Sequence, residues 1–141
     1  MKVAIFKGLL IAVLTRDHCD PHVHVRGRGW KARYEFSFWH NDIRLWDVVP
    51  SANSPGWKQL EELRVFIKEP SNLRTARELW WGSHKMICLE NKYWDTLQNE
   101  VVQQPTNRVG TFQIVTAVFD PKNYSTIIKV VGQTELLEIK L

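Results

Sequence analysis

The sequence is poor in the features that classify a protein quickly. It has two cysteines, Cys19 and Cys88. That is too few for a disulfide scaffold, so a reducing cytoplasm is the expected setting. No apolar stretch approaches the length that crosses a bilayer, which argues against a membrane role. The opening run M-K-V-A-I-F-K-G-L-L-I-A-V-L faintly resembles a secretory leader. Its apolar part, Leu9–Leu14, is short and lacks a small-residue cleavage site, so a buried strand is the better reading. No linker or low-complexity segment divides the chain. Its 141 residues are therefore expected to form a single domain, 1–141, with a substantial core.

Two familiar histidine patterns are also incomplete. The H-φ-H-φ-H strand of nucleotide hydrolases is broken because Arg26 stands at the third position. A cupin-like metal motif fails because no glutamate follows His24 within a few residues.

What is present is an ordinary globular composition, 44% apolar and 24% charged, with seven tryptophans for a bulky core or a contact surface. The net charge of +4 is uneven. Arg16 to Arg33 holds five basic residues and two acids, an excess of three out of the four. Such a stretch is either a solvated face or an anion-binding edge.

The densest chemistry lies in Asp17 to Val25, D-H-C-D-P-H-V-H-V, where His18, His22 and His24 fall within seven positions. Pro21 favours an extended or turning backbone at Asp20. The alternation that follows puts His22 and His24 on one face of a strand, with Val23 and Val25 on the other. After the turn signal Gly27-Arg28-Gly29, Trp30–Trp39 alternates as well. An even-length loop then pairs Val25 with Ala32 and Val23 with Tyr34. It also sets His24 opposite Arg33, His22 opposite Glu35, and Arg26 opposite Lys31. An odd loop would mix valines with arginines on one face, which a half-buried sheet excludes. The register predicts Trp30, Tyr34 and Phe36 buried, with Lys31 and Arg33 exposed.

Around this hairpin, Val3–Phe6, Leu9–Thr15 and Ile43–Val49 read as strands. Ser54-Pro55 starts a helix with a stripe of Trp57, Leu60, Leu63, Phe66 and Ile67, stopping before Pro70. Ser71 or Asn72 caps a second helix that Gly82 ends. Met86–Leu89 is a short strand or turn. Asn91 caps a third helix carrying Trp94, Leu97 and Val101, closed by Pro105. Thr111–Phe119, Tyr124–Val131 and Thr134–Leu141 form a terminal meander with turns at Asp120-Pro121 and Gly132-Gln133. The expected fold is α+β: an antiparallel sheet, built from N-terminal and C-terminal meanders, packed against two or three central helices. The outer strand of the last meander makes a homodimer an expectation.

The segment Asp17-His18-x-x-Pro21-His22-x-His24-Val25, behind an apolar strand and ahead of a glycine-containing hairpin, resembles a bacterial family of unknown function. That family carries a D-H-x-P-P-H-x-H-V signature, typically followed by two helices. Its members are small proteins often encoded on mobile elements or near toxin–antitoxin-like genes. The resemblance covers Leu9 to Val48 and extends through the helices to Gly82. Asp20 stands where the family has its first proline. The family has no agreed activity, so the resemblance implies a place rather than a reaction.

Two functions stay open. One is a non-catalytic accessory domain that binds an acidic or phosphate-bearing partner, a nucleic acid or an acidic protein. It would use the hairpin face made of His22, His24, Arg26, Arg28, Lys31 and Arg33. The other is a metal-dependent hydrolase, nuclease-like or phosphoesterase-like. There His18, His22 and His24 would ligate a divalent transition metal such as zinc, Asp17, Asp20 or Cys19 would be available as a further ligand, and Asp17 or Asp20 would serve as general base. His40 and His84 are expected to be structural.

Overall fold

The computed structural model describes residues 1–105 and 109–141. The alternating N-terminal sequence folds as a five-stranded antiparallel meander, in the order β1-β2-β3-β4-β5. Its strands are β1 (Lys2–Phe6), β2 (Leu9–Ala12), β3 (His22–Arg26), β4 (Lys31–Glu35) and β5 (Arg44–Val49). Helices α1 (Trp57–Lys68) and α2 (Pro70–His84) follow. The remaining strands are β6 (Tyr93–Asp95), β7 (Glu100–Val102), β8 (Thr111–Asp120), β9 (Ser125–Val130) and β10 (Leu137–Lys140). They form a second antiparallel sheet in the order β10-β9-β8-β6-β7. The fold is α+β, but with two sheets rather than one.

The chain forms two compact units. One holds Met1–Ser37 and Asn41–His84; the other holds Phe38–His40 and Lys85–Leu141.

In the first unit the β3–β4 register is the one that parity requires. His22 pairs with Glu35, Val23 with Tyr34, His24 with Arg33, Val25 with Ala32, and Arg26 with Lys31. Arg28-Gly29 forms the turn, closed by Gly27 N–H donating to Trp30 O at 3.0 Å. Gly29 takes φ +79° there, a conformation glycine adopts without strain. Trp30 is buried and its ring lies against Gly27, so tightly that a Cβ on Gly27 would fall 2.0 Å from it. Val23, Val25, Ala32 and Tyr34 are wholly buried on one face. Leu63, Ile67, Leu73, Ala76 and Trp80 of the helices are buried too, and the Tyr34 hydroxyl donates to Leu60 O at 2.8 Å. Each large apolar side chain buried in this way contributes roughly 1.5–3 kcal/mol. Lys31 is exposed, as the alternation predicts, whereas Arg33 is half-buried rather than exposed, because it pairs with Asp47 and lies over the Trp46 ring.

Several boundaries differ from the sequence reading. The second strand stops at Ala12. Helix α1 begins after Gly56 without a side-chain cap, and Trp57 is 78% exposed, outside the apolar stripe. Helix α2 takes Pro70 as its first residue, where the missing N–H costs nothing. It runs through Gly82 and ends where Lys85 turns to φ 55°.

In the second unit the expected third helix is absent. Asn91 and Asn99 both take positive φ, at 70° and 53°, which breaks a helical path. The chain instead forms the β6–β7 hairpin, with Trp94 opposite Val101. Met86–Leu89 carries no strand. The terminal meander forms as read, and β10 is an edge strand paired only to β9. Neither cysteine is a free thiol. That removes the ground for expecting a reducing setting, and with it Cys19 as a thiolate ligand. No helix among the described residues is long and apolar enough to cross a membrane.

Candidate metal centre

The loop from Ala12 to His22 folds back on its own strand and brings Asp17 to the two strand histidines. His24 Nε2 lies 3.0 Å from both Asp17 oxygens, and His22 Nε2 lies 3.5 Å from Oδ1. Asp17, His22 and His24 are the group of described residues whose ligating atoms converge, all within 4.8 Å of one another. A tetrahedral ion with bonds of 2.0–2.1 Å needs donors about 3.3 Å apart, so the spacing suits a common ion. The loop is held from its other side as well, by Leu14 N–H donating to Asp17 Oδ2 at 3.2 Å.

His22 is the informative member. Its Nδ1 lies 2.8 Å from Asp20 O. A carbonyl can only accept, so Nδ1 carries the proton. The ring is 1% exposed, packed beside the rings of His24 (4.9 Å between centroids), Trp46 (5.1 Å) and Trp80 (5.7 Å). That burial holds its pKa below the ordinary 6.5, against the opposing pull of Asp20 O and Asp17. Neutral His22 therefore directs a lone pair at a carboxylate oxygen. Two acceptors facing each other at 3.5 Å repel unless a cation lies between them.

The rim beside this trio is built by a bulge. Between the pairs Arg33–Asp47 and Tyr34–Leu45, strand β5 carries one extra residue, Trp46. Trp46 and Asp47 consequently serve the same face. Arg33 lies 4.7 Å over the Trp46 ring and donates to Asp47 through Nε (2.9 Å) and a terminal nitrogen (2.5 Å). This bidentate pair holds the Asp47 carboxyl below its usual value.

The predicted site residues thus separate. His22 and His24 are together, but His22 is buried and cannot meet a macromolecular partner. Arg33 is engaged by Asp47. Arg26, Arg28 and Lys31 are exposed, and among the described residues they form no ion pair. Arg26 and Lys31 line a pocket of about 470 Å³ that also reaches His24, Arg33 and Asp47; Arg28, at the turn, does not line it. His18 is exposed and the Asp20 side chain lies outside the converging group, which takes Asp17 as its carboxylate. Asp20 contributes its backbone carbonyl instead, because it immediately precedes the proline that starts the turn into β3. Trp46 and Asp47 escaped the sequence reading, since an isolated W-D in a strand looks like plain alternation until the bulge is known.

Trp30 is packed on Gly27 and buried, so it offers no ring on which a nucleic-acid base could stack beside the basic hairpin. His84 stacks on Trp80 at 3.9 Å between centroids and is not a member of the converging trio. No known family model, curated protein or solved structure matches this chain.

Proposed function

We propose that Asp17, His22 and His24 bind a divalent transition metal, zinc in first place, and that the protein is a metal-dependent hydrolase of phosphoesterase or nuclease type. The observation that carries this reading is the His22 lone pair held against the Asp17 carboxylate by an Nδ1–H···O bond to Asp20. Ligating histidines characteristically make that second bond to a carbonyl or carboxylate, which fixes the ring and its tautomer. Three protein donors rather than four favour a reactive centre over a purely structural one, because a position remains for water or substrate. His24, 26% exposed, opens that position to the pocket. A bound ion would supply the charge that polarises an ester oxygen and activates water. Hydrolysis then joins the water oxygen to phosphorus and releases the alcohol with a proton. Arg26 and Lys31 would draw the anionic substrate toward His24.

The test is metal stoichiometry. Chelator-stripped protein titrated with zinc should bind one ion per chain, and the double variant H22Q/H24Q should bind none while keeping its circular dichroism spectrum. Chelation should also abolish hydrolysis of a phosphodiester reporter. Stripped wild type that takes up no zinc, iron(II) or nickel at micromolar concentration would overturn the proposal.

A second reading, an accessory domain for an acidic partner, is favoured by the unpaired Arg26, Arg28 and Lys31 on one hairpin. It predicts salt-sensitive binding that survives removal of the metal.

A further inference from the structure

The open face of the first sheet is an ordered grid. Across one row, Leu10 pairs with Arg26, Arg26 with Lys31, and Lys31 with Val49. Across the next, Ala12 pairs with His24, His24 with Arg33, and Arg33 with Asp47. Two residues along a strand separate the rows, about 7 Å. All eight residues line the same pocket, with Leu14 beside them.

The charges of the two rows are unequal. In the second row Asp47 neutralises Arg33. In the first, two cations stand directly opposite one another with apolar residues on their outer sides. Leu10 is 43% exposed and Val49 57% exposed, and Leu14 is exposed as well. Like charges directly opposed across a strand pair are unfavourable, and nothing in the sheet relieves this pair. Exposed leucine and valine around them add no stability either. A ligand with a doubly negative head and an apolar body would answer both features.

We infer that this pocket binds a phosphate monoester carrying a compact alkyl or aryl group. The phosphate lies between Arg26 and Lys31 on the side toward His24, and the organic group lies on Leu10, Leu14 and Val49. A phosphate monoester carries a charge near −2 at neutral pH, matching two cations where a carboxylate matches one. The volume of about 470 Å³ falls in the range of small-ligand sites. Ala12, the smallest residue of the grid, leaves the floor clear beside His24. The fate of the bound ester rests on the proposed metal centre, but its binding does not, and so binding is measured on chelator-stripped protein.

Hexyl phosphate titrated into the stripped full chain, followed by calorimetry, should bind at least tenfold more tightly than inorganic phosphate and than hexanoate. The double variant R26Q/K31Q should lose that binding by tenfold or more, while R28Q keeps it. The variant V49E places an acid opposite Lys31, which supports the strand pairing while neutralising the cation. It should fold at least as well as wild type and still lose hexyl phosphate. Hexanoate binding as tightly as hexyl phosphate would overturn the phosphate assignment. Equal binding of inorganic and hexyl phosphate would overturn the apolar wall. Unchanged binding in R26Q/K31Q or V49E would overturn the site itself. A protein that binds hexyl phosphate but no metal keeps this inference and loses the hydrolase.

Discussion

Two loops in this protein start from similar materials. Asp17 precedes the Asp20-Pro21 step that leads into β3, and Asp120 precedes Pro121 between β8 and β9. At the second loop the carboxylate is consumed locally. Asp120 accepts from the Lys122 and Asn123 backbone N–H groups and from the Asn123 side chain, at 2.8 to 3.3 Å. At the first, Asp17 takes one backbone N–H, from Leu14, and turns the rest of its capacity toward two imidazoles. The difference lies in what the loop closes. Asp120 ends a tight turn within a hairpin, where nearby N–H groups are plentiful. Asp17 sits in a longer excursion that must return to β3, where the side chains it meets are His22 and His24. A carboxylate that satisfies its own turn is architecture. One held open toward the neutral His22 ring is available to a cation.

The contrast predicts its largest effect at the two aspartates. D17N should weaken zinc binding by about 100-fold or more, since it removes a ligand rather than a supporting group. D120N should leave zinc affinity within twofold. Calorimetric titration of both variants decides it; a D17N protein that keeps wild-type affinity would place Asp17 on the same footing as Asp120.

The turn glycines give a second, smaller contrast. Gly27 has the Trp30 ring on top of it, whereas Gly132 has open space but a φ of +79°. G27A should therefore cost about 1–3 kcal/mol through overpacking, and G132A about 1 kcal/mol through backbone strain. Urea unfolding should rank them in that order. The reverse order would mean that the Trp30 ring moves aside freely.

The smallest effect is a pH dependence. Hydrogen bonds from Asn123 hold the Asp120 carboxyl below its ordinary value of 3.8. A carboxyl lowered by folding lends stability above its unfolded value and loses it as pH falls through the folded one. D120N should thus melt below wild type at pH 7, and the gap in Tm should close between pH 4 and pH 2. A gap that persists at pH 2 would assign the loss to geometry rather than charge.

Alternation made the first sheet legible, and it did so through parity. Val23, Val25, Ala32 and Tyr34 could share a face in only one class of register, and the observed pairs follow it. The region after α2 was not legible by the same means. Trp94, Leu97 and Val101 keep a helix-like spacing, but positive φ at Asn91 and Asn99 is a tertiary choice that spacing does not carry. The converging group was half legible. His22 and His24 follow from strand alternation, whereas Asp17, rather than His18 or Asp20, depends on how the loop returns. The burial of His22 depends on Trp46 and Trp80, 24 and 58 positions away in sequence.

The extra residue in β5 has one more consequence. Strand faces exchange whenever a strand gains or loses a single residue, so indels inside a sheet are ordinarily ruinous. At Trp46 the count is already off by one, and its loss would leave Arg44 and Leu45 on one side, and Asp47 to Val49 on the other, with their present faces. Trp46 lies against both His22 and Arg33. The same one-residue irregularity occurs in β1 at Val3 and in β8 at Val115, but at Trp46 the position that tolerates loss of a codon is one that packs on a histidine of the converging group. A single-codon loss there would strip the indole from His22 and Arg33 while the β4–β5 pairing keeps its faces.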